Sequence, residues 1–167
     1  MVARAQPAVI NRPAAIQTGT CASPGESVAT LANVVLTTGD PLGQSGATPV
    51  EQSGTVVPFT LSDFLAVAHA IVVRQSPETS EIVACGEIGG AVNPDGTLGV
   101  GLRSVGGSEV SGVAYFTPID TFENVLVTIL LVSEGGSGET TVASDPAVDE
   151  AAQAGALDKD AIDSTDE

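Results

Sequence analysis

The stretch from His69 to Gly89, HAIVVRQSPETSEIVACGEIG, decides the fold. It begins with a run of β-branched residues, passes through a short polar turn, and ends in a second apolar segment that carries Cys85. β-Branched residues favour extended backbone because their side chains pack well on a pleated surface. The stretch therefore predicts two strands joined by a tight turn.

Outward from this pair, short apolar segments recur about every ten residues, with turn-forming residues between them. One helical turn is predicted after Ser62 as N-cap, and Asn93-Pro94-Asp95-Gly96 predicts a four-residue turn between strands. Pro58 places its own segment at a sheet edge or a bulge. We predict an all-β fold, an antiparallel Greek-key-type β-sandwich or flattened barrel of about seven or eight strands. The strands are predicted near residues 14–18, 28–36, 55–61, 70–74, 82–88, 98–103, 110–117 and 125–132.

Composition divides the chain into an irregular lead-in at residues 1–13, the β domain at 14–133, and an acidic low-complexity tail at 134–167. The tail has ten carboxylates against one lysine, Lys159, whereas residues 1–133 have eleven carboxylates against four arginines. Because the tail has little apolar surface to bury, we expect it to be solvent-exposed and disordered.

The net charge of −16 limits the partners. A hydrated acidic surface suits a salt-rich environment, although an acidic tail alone produces much of the same statistic. Nucleic acid is not expected as a partner, since no basic patch exists to neutralise phosphates.

No segment reaches the roughly 18–20 apolar residues of a membrane helix. The N-terminus has no apolar h-region, so no signal peptide is expected in this chain. If the protein is exported, we expect this sequence to be a mature form with an added Met1.

The two cysteines, Cys21 and Cys85, form neither a CxxC motif nor part of a ligand cluster. Aromatic residues are only 3% of the chain, so a core of small aliphatic side chains needs another brace. A disulfide that closes a loop of about 65 residues stabilises a fold by roughly 4 kcal/mol in the chain-entropy account. We expect a structural disulfide rather than two buried thiols, and hence an extracellular or cell-surface location.

The segment ACGEIG at 84–89, after the HAIVV strand, resembles the closing segment of Cu/Zn superoxide dismutases. The segment SEVSGVAYF at 108–116, followed by residues 125–131, resembles the first hairpin of that family. Ala15–Cys21 occupies the place of the family's His-x-His strand and first cysteine. This order is that of a circular permutation, which folds tolerate where their termini lie close together. The resemblance covers residues 14–133 and implies the family's β-sandwich scaffold.

The positions that correspond to the family's copper ligands are Ala15, Gln17 and Arg74, of which none is an imidazole. A guanidinium does not ligate metals and an amide is a poor copper ligand. Residues 26–54, where zinc ligands would lie, contain no histidine, and Ile82 replaces the arginine that attracts superoxide. We therefore predict no metal site, no cofactor and no dismutase activity.

Two further candidates contain ionisable side chains. His69 is the only histidine, and without other ligands at metal-binding spacing we expect it at the surface or at a strand edge. Arg74 lies close in sequence to Glu78 and Glu81, and these three residues form a possible charge cluster. Glu87 lies beyond them in the sequence. Pairing with Arg74 is expected, as solvated charges at strand ends rather than as an acid/base pair.

No catalytic residues are predicted. The leading hypothesis is a non-catalytic, exported structural or interaction domain with a superoxide dismutase-like scaffold. Recognition would use its loops, particularly residues 38–54, or self-association through Val-rich strand edges. Two alternatives stay open, namely a metal-binding or redox protein that uses His69 and carboxylates, and an extracellular hydrolase with loop carboxylates.

Overall fold

Each predicted apolar segment becomes a β-strand in the computed structural model, which describes residues 10–39, 42–44 and 46–133. Most of the predicted lead-in and the whole acidic tail at 134–167 lie outside the described residues. One short helix, α1, spans Leu61–Ala66, and a 3₁₀ turn spans Asp120–Phe122. The strands are β1 Asn11–Thr20, β2 Ser23–Leu36, β3 Glu51–Val57, β4 His69–Arg74, β5 Ile82–Glu87, β6 Leu98–Ser104, β7 Val110–Ile119 and β8 Asn124–Ser133.

The strands form a closed antiparallel barrel with the order β1-β2-β3-β8-β7-β6-β5-β4. Three successive strands, β1 to β3, lie side by side, and β4 returns to pair with β1, which is the Greek-key arrangement. From β4 to β8 the strands follow one another as a meander. The predicted all-β, antiparallel Greek-key fold is confirmed, and its form is a closed barrel.

Every second side chain along the strands points into the barrel and fills its interior. In β8, for example, Val125, Val127, Ile129 and Leu131 are buried, while the residues between them are partly exposed. Successive side chains of a strand point to opposite faces, so one face of each strand supplies the core. That core is aliphatic apart from Phe64 and Phe116.

Several element boundaries differ from the prediction. β1 begins at Asn11 rather than near residue 14, and β2 begins at Ser23, so that only Cys21 and Ala22 form the turn between them. β3 spans Glu51–Val57, which shortens the predicted loop and places Pro58 after the strand. The proline therefore ends β3 and does not interrupt its ladder.

The N-cap of α1 is Thr60 and not Ser62 as predicted. The Thr60 hydroxyl accepts a hydrogen bond from the backbone N–H of Asp63 at 3.2 Å. In return, the Asp63 carboxylate accepts one from the backbone N–H of Thr60 at 2.8 Å. This reciprocal pair is a capping box, which satisfies two backbone donors at once and outcompetes a lone serine cap.

The two ends of the barrel are closed by different chemistry. At one end, Phe64 of α1 packs against Phe59 and Phe116, with ring centroids 5.4 Å and 5.7 Å apart. At the other end, the Arg12 Nε donates to Glu51 Oε2 at 2.7 Å, and both side chains are buried. The interior is thus closed by an aromatic cluster at one end and by an ion pair at the other.

The capping box predicts a pH dependence. Hydrogen bonds from the Thr60 side chain and backbone lower the pKa of Asp63 below its ordinary value of 3.8. A lowered pKa means that the charged carboxylate stabilises the fold above the unfolded value, and that this stabilisation is lost as the pH falls through the folded pKa. Asp63→Asn should therefore lower the thermal midpoint at neutral pH, and the difference from wild type should vanish below the folded pKa.

Thermal unfolding followed by circular dichroism at stepped pH values measures this difference. Glu26→Gln is the control, because Glu26 is an exposed carboxylate of β2 without a capping role. A difference between wild type and Asp63→Asn that persists unchanged at acid pH would contradict the account.

Candidate interaction surface

Cys21 and Cys85 form the predicted disulfide, with their Cα atoms 5.8 Å apart. Cys21 lies in the β1–β2 turn, and Cys85 lies on β5 opposite Val72 of β4. Val72 and Ala70 belong to a small apolar cluster with the two cysteines, separate from the main core that holds Ile71. Since side chains alternate across a strand, this cluster lies on the outside of the barrel. The disulfide thus fastens the β1–β2 hairpin over the outer face of β4 and β5.

The positions that correspond to copper ligands do not converge. Ala15 lies opposite Val72 and Gln17 lies opposite Ala70 in the β1–β4 ladder. Arg74 follows Val72 by two residues, so its Cα lies roughly 7 Å along the strand from the level of Ala15 and roughly 13 Å from that of Gln17. Within residues 10–39, 42–44 and 46–133, no three His, Cys, Asp or Glu side chains are grouped in a way that could hold a metal ion.

His69 is buried, with 7% of its surface exposed, so the prediction of a surface or strand-edge position was wrong. It lies on the same side of β4 as Ile71 and Val73, which face the core, and Phe64 of α1 packs edge-on against its ring at 5.8 Å. Its Nδ1 lies 3.1 Å from the carbonyl oxygen of Phe64. Because a carbonyl can only accept, Nδ1 carries the proton. His69 therefore anchors α1 over the barrel end.

The expected pairing of Arg74 with Glu78 or Glu81 does not form. In the described part of the chain, the one guanidinium–carboxylate contact within 4.0 Å joins Arg12 to Glu51. Glu78 and Glu81 are exposed in the β4–β5 turn, which the backbone bond from Gln75 N–H to Glu81 O closes at 2.9 Å. Water solvates such charges as well as an ion pair would, so nothing draws them together.

Arg12 and Glu51 are the polar residues that the sequence reasoning missed. Arg12 also donates to Gln75 Oε1 at 3.0 Å, and the Ser133 hydroxyl donates to Glu51. Arg12 stands beside a proline in the predicted lead-in and Glu51 in the predicted loop. Their relation appears only when β1 and β3 are extended and aligned, so no local signal could have found it.

An outward groove of about 640 Å³ lies between β5 and β6. The two strands pair only through Ala84–Ser104 and Cys85–Arg103. Beyond that point Gly86 meets β6 closely, since a Cβ at this position would lie 2.5 Å from the Gly101 carbonyl oxygen. In the described residues, the only buried side-chain polar atom without a partner is the Ser53 hydroxyl, which does not line this groove. The groove therefore lacks an unpartnered buried group to hold a ligand.

Four neighbouring strands, β3, β8, β7 and β6, form a broad outer face. Their ladders place Val56 beside Leu126, Thr128 beside Tyr115, and Tyr115 beside Gly99. None of the outward residues at these paired positions is a carboxylate, and we call this surface the acid-free face. It consists of Gln52, Gly54 and Val56 of β3; Leu126, Thr128, Leu130 and Val132 of β8; Ser111, Val113, Tyr115 and Thr117 of β7; and Gly99, Gly101 and Arg103 of β6.

Few carboxylates lie on the outer side of the strands anywhere in the barrel. Those of the described residues lie in turns, in α1, on β2, at the end of β5, or, for Glu51, in the interior: Glu26, Glu51, Asp63, Glu78, Glu81, Glu87, Asp95, Glu109, Asp120 and Glu123. The single charge on the face is Arg103, at the corner where β6 meets β5. The outward positions of β1 and β4 have no carboxylate either, so the acid-free face is distinguished by its exposed Tyr115 and Val56 as well as by its lack of negative charge.

Tyr115 is the most prominent side chain of this face and the only tyrosine of the chain. It is 42% exposed, and Val56 is 55% exposed. The tyrosine ring lies beside Gly99, where an added Cβ would be 3.6 Å from the Tyr115 Cε1. An exposed aromatic ring among small and aliphatic neighbours is the composition that protein interfaces favour.

Comparison with known proteins identifies no relative, since no family model, curated protein or solved structure matches this chain. The likeness to superoxide dismutases thus stays a resemblance carried by the segments quoted above. In the described part of the chain, no helix has the length and apolar character needed to cross a bilayer.

The Arg12–Glu51 ion pair predicts that a single substitution destabilises the fold more than a double substitution does. Glu51→Leu leaves the buried Arg12 guanidinium without its partner and should cost about 3–5 kcal/mol of unfolding free energy. Arg12→Met combined with Glu51→Leu removes both charges and should recover most of that loss. Urea unfolding of the three proteins measures the difference. A cost below about 1 kcal/mol for Glu51→Leu would mean that water reaches the pair.

Proposed function

We propose that this protein is a non-catalytic, exported structural or interaction domain that associates through its acid-free face. The scaffold resembles that of superoxide dismutases without the metal ligands. One observation carries the proposal, which is an exposed tyrosine among aliphatic side chains on four adjacent strands that lack carboxylates. A surface that contacts only water does not need to lack carboxylates, because exposed carboxylates favour solubility.

The composition of the acid-free face supports contact with a macromolecule. Interface centres are depleted in charged residues and enriched in tyrosine and aliphatic side chains. Tyr115 lies near the middle of the face, and Val113, Leu126 and Leu130 surround it on β7 and β8. The face is also built on paired strands rather than on loops, which gives it a fixed shape at low entropic cost.

Export is supported by the disulfide. Such bonds persist in oxidising compartments and are rare where cellular thiols keep cysteines reduced. The bond joins Cys21 and Cys85 across the outer cluster, where its loss would free the β1–β2 hairpin. The acidic surface outside the face keeps such a domain soluble, including in concentrated salt.

No specific observation favours either alternative function. Cys21 and Cys85 are bonded to each other, and the Nδ1 of His69 is committed to the Phe64 carbonyl. The carboxylates of the described residues are spread over separate turns, α1 and the strands β2, β3 and β5.

A photo-reactive amino acid placed at position 128 tests the proposed contact in the native producer. Thr128 lies at the centre of the acid-free face, and Thr30 on the exposed side of β2 serves as the matched position. Illumination should give covalent adducts of higher mass from position 128 and few from position 30. Equal yields from both positions, or adducts from position 30 alone, would contradict the proposal.

A further inference from the structure

We infer that the Cys21–Cys85 bridge is a site of thiol–disulfide exchange, at which a small thiol forms a mixed disulfide with Cys21 and releases Cys85 as a thiolate. The inference does not depend on the acid-free face and adds a covalent modification site to the outside of the barrel. It is carried by three observations, which are the unequal exposure of the two cysteines, the groove beside them and the charges near Cys85.

The two cysteines differ in their access to solvent. Cys21 is partly exposed in the two-residue turn between β1 and β2, and Ala22 beside it is exposed. Cys85 lies on β5 with only 3% of its surface exposed. A thiolate attacks the sulfur of a disulfide that it can reach, and the other sulfur departs. Cys21 is therefore the sulfur that an external thiol joins, and Cys85 is the leaving group.

A groove gives a small thiol access to the bridge. The outward groove of about 640 Å³ between β5 and β6 is lined by both cysteines, and its volume lies in the roughly 300–1,000 Å³ range of small-molecule sites. No unpartnered buried side-chain polar atom of the described residues lines it. Its reactive group is the disulfide, which holds a ligand by exchange of a covalent bond.

Positive charge lies beside the leaving sulfur. Arg103 of β6 is directly opposite Cys85, where cross-strand Cβ atoms are about 4.5–5.5 Å apart. It is exposed, lines the same groove, and has no carboxylate of the described residues within 4.0 Å. Glu87, also exposed, follows Cys85 by two residues on the same face of β5, about 7 Å along the strand. The nearer charge is thus the cation, which stabilises a departing thiolate.

The exchange balances without an added oxidant. The attacking thiolate forms a sulfur–sulfur bond to Cys21 as the Cys21–Cys85 bond breaks, and the bonding electron pair leaves with Cys85. A second attack, by Cys85 on the adduct, restores the bridge and releases the small thiol. The modification is therefore reversible, and the concentration of the small thiol sets its extent.

Opening the bridge frees the β1–β2 turn and leaves the barrel closed. β1 and β4 are joined by five residue pairs, none of which involves Cys21. Cys21 packs against the outer cluster that contains Ala70, Val72 and Cys85. Exchange is thus a local event, in which the turn separates from this cluster while the domain stays folded.

Peptide mapping of the full chain after incubation with reduced glutathione tests the inference. Free thiols are alkylated at the end of the incubation, and cleavage after Arg74 places the two cysteines in separate peptides. We expect the glutathione adduct on Cys21 and the alkyl group on Cys85, at least about tenfold over the reverse pattern. Urea far below the unfolding midpoint should leave the rate nearly unchanged, because the native protein is attacked.

Substitutions of opposite sign test the role of the charges. Arg103→Gln should slow adduct formation at least about threefold, whereas Arg103→Lys should retain most of the rate. Glu87→Gln removes the opposing charge and should speed the reaction. Glu123→Gln makes the same change at an exposed position next to β8 and should leave the rate unchanged. Circular dichroism checks that all four variants fold.

An adduct on Cys85, or equal adducts on both cysteines, would overturn the inference. A bridge that reacts only as urea unfolds the chain would also overturn it, because exchange would then belong to the unfolded state. Equal rates for Arg103→Gln and Glu87→Gln would refute the role assigned to Arg103. Failure here is distinguishable from failure of the proposed function, since the cross-linking yield from position 128 does not depend on the bridge.

Discussion

The structure depends on the pairing of β1 with β4, because this ladder closes the barrel. It joins Ala14–Val73 through Thr18–His69 in continuous register. Without it, β1 and β4 would each have an unpaired edge, which proteins otherwise have to protect from other chains. The connection from β3 to β4 through α1 crosses the barrel end to make this pairing possible. The disulfide then holds the β1–β2 hairpin against the outer side of β4 and β5.

Because the core contains few aromatic residues, the interior has to be closed by contacts at the two ends of the barrel. Val, Ile, Leu and Ala fill the middle, and the few large side chains are concentrated at one end, where Phe59, Phe64 and Phe116 meet. The opposite end contains the Arg12–Glu51 pair, whose charges are tolerated because Ser133 and Gln75 complete their hydrogen bonds. With the interior closed in this way, contact with other molecules is left to the outside of the barrel.

The strands could be predicted from local pattern because alternation and turn residues are local properties. The hairpin of β4 and β5 followed from a short stretch of sequence, and the disulfide followed from the presence of two cysteines in a chain with few aromatic residues. Three features could not be obtained in this way. The burial of His69 depends on α1 folding over it, the Arg12–Glu51 pair depends on the alignment of distant strands, and the acid-free face depends on strand order. Of these, only His69 had a sequence signal, since it falls on the same face of β4 as Ile71 and Val73.

Arg74 shows that nearness in sequence is weak evidence for an ion pair. Nearness in sequence suggested pairing with Glu78 and Glu81, yet a tight turn holds those carboxylates in solvent. Exposed pairs gain little, so sequence spacing alone does not predict them. The buried pair, formed by residues 39 positions apart, has the stronger physical reason to exist.

We expect the Cys21–Cys85 bridge and the closed ladder to hold this scaffold together without a metal ion. Thermal unfolding of the full chain in a chelator, in copper and zinc, and in a reductant tests it most directly. A ligand that binds the folded state raises the unfolding midpoint, and its removal lowers it. We expect a midpoint that is unchanged by chelator or metals and lowered by the reductant. A midpoint that falls in the chelator, rises with copper and ignores the reductant would contradict it.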